Sequence, residues 1–116
     1  MLRSGSPDAA VRAVLGGIDQ YPNSLPLWTE LGSVLAQRDG TLSPAAKFAF
    51  ARARSLNPQH PAPYYFLGLA QVKNRDFRAA RQSWARAYAL SPKNASYRRD
   101  IAVRLALLDQ LLAQIS

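Results

Sequence analysis

Residues 61–92 read PAPYYFLGLAQVKNRDFRAARQSWARAYALSP, and this pattern occurs twice in the chain. The upstream copy ends at Pro58, 34 residues before Pro92. The small residues that would let two helices touch are Gly68, Ala80 and Ala87. The large residues beside them are Tyr64, Leu67, Phe77 and Trp84. A self-similar period of this length indicates repeated helical units that bury a core only when they are stacked.

The period and the pattern resemble those of the tetratricopeptide repeat (TPR), W-x2-L-G-x2-Y, A-x3-F, A and P. The second copy matches with Tyr64, Leu67, Gly68, Gln71, Ala80, Trp84, Ala87 and Pro92, and only Gln71 departs from the pattern. The upstream copy matches with Trp28, Leu31, Gly32, Leu35, Ala46, Phe50, Ala53 and Pro58, with two extra residues in its turn. The predicted fold is therefore all-α, a TPR solenoid of antiparallel helix pairs with about six helices.

The repeats organise the whole chain, which we predict to be a single TPR domain over residues 1–116. Its parts are a half repeat at 7–22, repeat one at 25–58, repeat two at 61–92 and a C-terminal capping helix at 95–115. Predicted helices cover 7–20, 25–38, 43–56, 61–74, 77–90 and 95–115. Ser6 and Ser43 are predicted N-caps before prolines, and Gly40 is predicted to end a helix with positive φ.

Composition limits what such a module can do. The 116 residues hold 15 Lys and Arg against 7 Asp and Glu, a net charge of +8, and no cysteine. The positive charge attracts polyanions, but the cations are spread over several helices without a nucleic-acid motif, so specific nucleic-acid binding is a distant third hypothesis. No apolar run is long enough to span a membrane, so we predict no membrane segment in this chain.

No residues assemble a recognisable catalytic or metal site. The acidic residues are scattered, a phosphate-binding glycine loop is missing, and His60 stands alone beside Pro61 in a turn. We therefore predict no enzyme activity, no catalytic residues, no metal and no cofactor, and we interpret His60 as a turn residue.

Function is then expected on a surface, because stacked helix pairs leave a concave groove lined by the first helix of each repeat. The predicted peptide-binding groove consists of Thr29, Ser33, Tyr65, Leu69, Val72, Lys73, Arg99 and Val103, with Ala36, Gln37, Ala62, Ala106 and Leu107 at neighbouring groove positions. We expect these positions to be exposed in the free protein. Their apolar lining with a basic rim suits an amphipathic segment that carries some negative charge. The alternative is that Tyr65 and Leu69 only pack on neighbouring helices. The last helix is predicted to cap the open end of the array, or else its excess apolar face (Val103, Leu107 and Leu111) holds a partner or a second copy of the chain.

A closer resemblance covers about residues 25–112. The lengthened turn DGTLSPAAKFAF, the segment YYFLGLA and the Phe77 to Trp84 spacing are similar to the TPR region of the cytochrome c-type biogenesis proteins of the CcmI/CycH family. This resemblance implies a periplasmic chaperone, anchored through a membrane segment outside this chain, that holds the C-terminal helix of an apocytochrome c as its protein partner. The alternative is a generic TPR adaptor, in the cytoplasm, with another protein or peptide partner.

Overall fold

The computed structural model describes residues 6–115, and these form six α-helices and no strand. The helices are α1 (Pro7–Gln20), α2 (Leu25–Asp39), α3 (Pro44–Leu56), α4 (Ala62–Lys73), α5 (Phe77–Leu90) and α6 (Ser96–Ile115). The all-α prediction is confirmed, and the predicted helix bounds agree to within one residue. The ends of the predicted single domain, residues 1–5 and 116, lie outside the described residues.

Most of the helices begin at a side chain that accepts a hydrogen bond from the backbone. Ser6, Ser24, Ser43 and Asp76 each accept from the N–H three residues further on, which confirms the N-caps predicted at Ser6 and Ser43. Helix α4 begins differently, because its cap residue Pro61 has no side-chain acceptor. There the Nδ1 atom of His60 accepts a hydrogen bond from the Ala62 N–H at 3.1 Å, which gives the single histidine a structural role in the turn.

The helices divide into two compact units, Met1–Pro58 (unit 1) and Gln59–Ser116 (unit 2). In unit 1, α1 packs on α2 and α2 packs on α3. Gly32 of α2 faces the Phe50 ring so closely that a Cβ atom on Gly32 would lie 2.7 Å from the ring. Phe50 is fully buried. The indole N–H of Trp28 donates to the Pro22 carbonyl at 2.7 Å and thereby fixes α2 to the turn before it.

The longer turn between α2 and α3 is held by a chain of hydrogen bonds. The Ser43 hydroxyl donates to Asp39 at 2.6 Å and accepts from the Ala46 N–H, so one side chain caps α3 and joins it to the end of α2. The hydrogen bonds from Ser43 and Arg38 hold the pKa of Asp39 below its usual value. Gly40 has φ 69°, which confirms the positive φ predicted at the end of α2.

In unit 2, α4 packs on α5, and α5 packs on α6. Gly68 faces the Trp84 indole, the second occurrence of the Gly32–Phe50 contact. Ile101 and Leu108 of α6 join Trp84 in the buried cluster of this unit. The Arg81 guanidinium also donates to both oxygens of Asp109, which links α5 to α6 and raises the pKa of Arg81.

The buried positions follow the repeat. Pattern positions that are buried in both copies are Leu31 and Leu67, Gly32 and Gly68, Ala46 and Ala80, Phe50 and Trp84, and Ala53 and Ala87. These helix pairs are compatible with a TPR-like repeat, and their contacts are consistent with an all-α helical-repeat solenoid. The single domain over 1–116 and the division into half repeat, repeats and cap stay predictions.

Candidate peptide-binding surface

The predicted groove residues are divided between the two units, and Thr29 and Ser33 lie in unit 1. Thr29 is only 5% exposed. Its hydroxyl donates to the Leu25 carbonyl one turn earlier at 2.9 Å, so this hydrogen-bonding group is used inside α2. Ser33 is half-buried. A role of either residue in peptide binding stays a prediction.

The three predicted residues of α4 with large apolar side chains are half-buried rather than open to solvent. Tyr65, Leu69 and Val72 all pack against the buried cluster that contains Trp84 and Ile101. The structure therefore favours the alternative that Tyr65 and Leu69 pack on their neighbours. The expectation that the groove positions are exposed in the free protein is wrong for the buried Thr29 and for these three half-buried residues, whose side chains already pack on the core of unit 2.

Tyr65 is held by several contacts at once. Its ring is stacked on Trp84 with centroids 6.2 Å apart and an interplanar angle of 23°, and it makes a T-shaped contact with Phe66 at a centroid distance of 5.2 Å. The Tyr65 carbonyl accepts the Trp84 indole N–H at 3.0 Å. The Arg104 guanidinium lies 5.6 Å from the Tyr65 ring centroid, within the distance of a cation–π contact. Tyr65 is therefore fixed in place before any ligand binds.

The remaining predicted residues, Lys73, Arg99 and Val103, are exposed. Val103 follows the buried Ile101 by two residues, a rotation of about 200° around the helix, so it lies on the opposite side of α6. Val103 is 53% and Leu107 is 60% exposed, so this side of α6 presents apolar surface. Leu111, which the sequence analysis grouped with them, is half-buried and packs against the cluster of unit 2.

A pocket of about 370 Å³ lies in unit 2 beside Tyr65, between the start of α4 and the first two turns of α6. Its lining is mostly apolar and consists of His60, Pro61, Ala62, Tyr65, Phe66, Tyr97, Asp100, Ile101 and Arg104. Phe66 and Tyr97 are 40% and 45% exposed, so both rings are open to a ligand. The volume falls at the small end of the range of about 300–1,000 Å³ that is typical of ligand pockets.

Of the predicted groove positions, only Ala62 and Tyr65 line this pocket. The residues that our sequence reasoning missed on α6 are Tyr97, Asp100, Ile101 and Arg104, which are spaced i, i+3, i+4 and i+7. That spacing places side chains on one face of a helix and was a readable signal. We instead placed Arg99 and Val103 in the groove by repeat position, and the structure does not bring them to the pocket.

Most of the net positive charge of the chain lies in unit 2, which contains the pocket. Residues 59–116 hold nine Lys and Arg against three Asp, so unit 2 carries +6 of the net +8. Several of these arginines lie on aromatic rings: Arg86 on Tyr64, Arg98 on Tyr88, and Arg104 on both Tyr65 and Trp84. The surface of unit 2 therefore favours a ligand with negative charge.

Comparison with known proteins agrees with the resemblance found in the sequence. The chain is 34% identical over 97 residues to the cytochrome c-type biogenesis protein CycH of Bradyrhizobium diazoefficiens, a match that covers 83% of this chain. The resemblance to the cytochrome c-type biogenesis proteins is confirmed. The matched region is 26% of CycH, so the chain spans about a quarter of this curated relative. No protein-family model matches the chain.

The described residues contain neither a metal-binding cluster nor a helix that could span a membrane. Between residues 6 and 115, no three His, Asp or Glu side chains lie together in a group that could hold a metal ion. Over the same range, none of the six helices combines the length and the apolar character that crossing a bilayer requires.

Proposed function

We propose that this chain is a protein-interaction module of cytochrome c maturation that binds an amphipathic helical segment of its partner. The observation that carries the proposal is the arrangement in unit 2, where an apolar pocket with aromatic walls lies on a strongly basic surface. An amphipathic helix with acidic residues has the complementary apolar and charged faces. The CycH similarity supports cytochrome c biogenesis as the process.

The partner that we propose is an apocytochrome c, bound through its C-terminal helix, and the proposed location is the periplasm. In this role the module holds an unfolded partner for haem attachment and needs no catalytic group of its own. Lys73 and Arg99 are exposed and do not line the pocket, so they would meet acidic residues of the helix beyond it. Because single modules bury little area, we expect micromolar affinity, about −8 kcal/mol, carried by a few apolar anchors.

The test is isothermal titration calorimetry with a peptide of an apocytochrome c C-terminal helix and a scrambled peptide of equal composition. Lys73→Glu and Arg99→Glu, which change exposed side chains, should each weaken binding several-fold, and more so at low salt. Phe48→Asp changes an exposed residue of unit 1 and serves as the control that should leave binding unchanged. Leu69→Asp is unsuitable as a probe, because this half-buried residue contributes to the core.

Equal binding of the scrambled peptide would contradict a helical ligand with a defined apolar face. Failure of both peptides to bind, with correct folding shown by circular dichroism, would reject the apocytochrome partner. The second hypothesis, a generic adaptor for another protein, would then replace it.

A further inference from the structure

We propose that the pocket at the start of α4 is an anchor site for an aromatic side chain that lies next to a carboxylate, as at the C-terminus of a peptide ending in Phe or Tyr. This inference rests on the proposed peptide-binding function and names the chemistry of its main anchor. The site differs from the predicted groove, because Leu69, Val72, Lys73, Arg99 and Val103 do not line it.

The walls of the pocket select an aromatic group. Phe66 and Tyr97 are partly exposed rings, and Tyr65 is fixed by its stacking on Trp84. Ile101 is 2% exposed and is part of the buried cluster. Aromatic rings pair well with other rings in stacked or edge-to-face arrangements, which add to the gain from burying apolar area. A bound aromatic side chain would cover the exposed parts of Phe66 and Tyr97.

The polar groups of the pocket favour a carboxylate beside that ring. The Arg104 guanidinium lies over the Tyr65 and Trp84 rings and forms no ion pair with any described residue. The start of α4 forms another wall through Pro61 and Ala62, but these residues offer no free N–H, because proline has none and the Ala62 N–H donates to His60. Asp100 is the one acidic residue in the lining, and it repels a doubly charged phosphate more strongly than a singly charged carboxylate.

The net charge of unit 2 also favours a ligand with a carboxylate. Unit 2 carries a net +6, and Asp100 is one of only three acidic residues in it. An anionic ligand is therefore attracted to this unit before it makes contact. Nucleotides also combine a ring with negative charge, but Asp100 in the lining disfavours their doubly charged phosphate.

The experiment uses three small probes and amide chemical shifts of the 15N-labelled chain. N-acetyl-phenylalanine carries the ring and the carboxylate, N-acetyl-phenylalanine amide carries the ring alone, and N-acetyl-alanine carries the carboxylate alone. We expect N-acetyl-phenylalanine to bind with a Kd on the order of millimolar, since a ligand of this size is limited to modest affinity. The amide should bind about two- to fivefold more weakly, and N-acetyl-alanine should not saturate.

Variants of the pocket residues test whether the probes bind in this pocket. Ala62→Leu fills the pocket without removing any group from it, and should weaken N-acetyl-phenylalanine at least tenfold. Arg104→Gln should abolish the preference for the acid over the amide, whereas Arg104→Lys should keep it. Asp100→Asn should increase that preference. Phe48→Ala, an exposed aromatic residue of unit 1, should change nothing.

Three results would overturn the anchor site. They are equal affinity for acid and amide, shift changes that do not include Phe66 and Tyr97, and normal binding by Ala62→Leu. Tighter binding of adenosine monophosphate than of N-acetyl-phenylalanine would replace the peptide ligand by a nucleotide. If the probes fail while the apocytochrome peptide binds, the anchor is wrong and the proposed function stands. If the probes bind and that peptide does not, the anchor stands and the partner is another protein.

Discussion

The helix pairs α2–α3 and α4–α5 pack through the same kind of glycine–aromatic contact, but the polar groups around that contact differ. In each pair a glycine of the first helix faces an aromatic ring of the second, Gly32 against Phe50 and Gly68 against Trp84. Phe50 makes only apolar contacts through its side chain, whereas the Trp84 indole also donates to the Tyr65 carbonyl at 3.0 Å. The difference shows that the repeat specifies the shape of a contact and leaves its hydrogen bonding open.

A second difference explains the one departure from the repeat pattern. Leu35 and Ala49 occupy apolar buried positions in the first pair. The equivalent residues of the second pair are Gln71 and Ser83, and the Ser83 hydroxyl donates to the Gln71 side-chain oxygen at 2.6 Å. An apolar pair has thus been replaced by a hydrogen-bonded pair, so that the polar atoms satisfy one another.

Some features are kept in both pairs. Arg52 lies 5.9 Å from the Trp28 ring centroid, and Arg86 lies 5.8 Å from that of Tyr64. Each contact joins the second helix of a pair to the first aromatic of the pattern. The basic residues of the second helices therefore cover aromatic surface as well as contributing charge.

The strongest test of the comparison is to break the glycine contact in each pair. In Gly68→Ala the new Cβ would overlap the Trp84 indole, so we expect a loss of about 1–3 kcal/mol in the free energy of unfolding. Gly32→Ala should lose stability in the same way against Phe50, without loss of a tryptophan hydrogen bond. Urea denaturation followed by circular dichroism measures both.

Gly16→Ala is the matched control for this test. Gly16 lies in α1, and a methyl group added there would have no neighbouring atom within 4 Å. Alanine should therefore stabilise the chain by up to about 1 kcal/mol through its higher helix propensity. If Gly68→Ala unfolds at the same urea concentration as Gly16→Ala, the close helix contact is not present in solution.

These glycines also show why the fold could be predicted from the sequence. Gly32 and Gly68 recur with a period close to that of the buried alanines, and such a period reports directly on which faces must touch. The hydrogen bond between Gln71 and Ser83 could not be predicted, because it depends on how two helices are placed side by side. At the site, the spacing of Tyr97 and Arg104 shows that they share a face of α6, but which face of α6 meets α4 depends in the same way on how the helices are placed.

A smaller effect is expected from converting the polar pair into the apolar one. Ser83→Ala and Gln71→Leu should each cost about 1 kcal/mol, because each leaves one partner of the hydrogen bond without the other. The double variant should recover most of this loss, since it recreates the Leu35–Ala49 arrangement. A double-mutant cycle on urea midpoints measures the coupling, expected at about 0.5–1.5 kcal/mol. Strictly additive losses would show that the two side chains do not depend on each other.

The turns of the two pairs give the smallest predicted effect. The chain takes positive φ at Gly40, 69°, after α2, and at Arg75, 62°, after α4. A side chain with a Cβ is strained in this region by roughly 1–2 kcal/mol, whereas glycine is not. Arg75→Gly should therefore stabilise unit 2, by about 0.5–1 kcal/mol after the greater flexibility of glycine in the unfolded chain is subtracted.

The reciprocal change at Gly40 tests the turn of unit 1 as well as that of unit 2. Gly40→Arg would put the strained arrangement into unit 1 and should cost about as much as Arg75→Gly gains, since both side chains would be exposed. Arg75→Ala is the control for loss of the arginine side chain and should show no gain, because alanine keeps the Cβ. Thermal melting of the three variants against the parent chain decides it. A gain for Arg75→Ala equal to that for Arg75→Gly would mean that the arginine side chain, not backbone strain, separates the two turns.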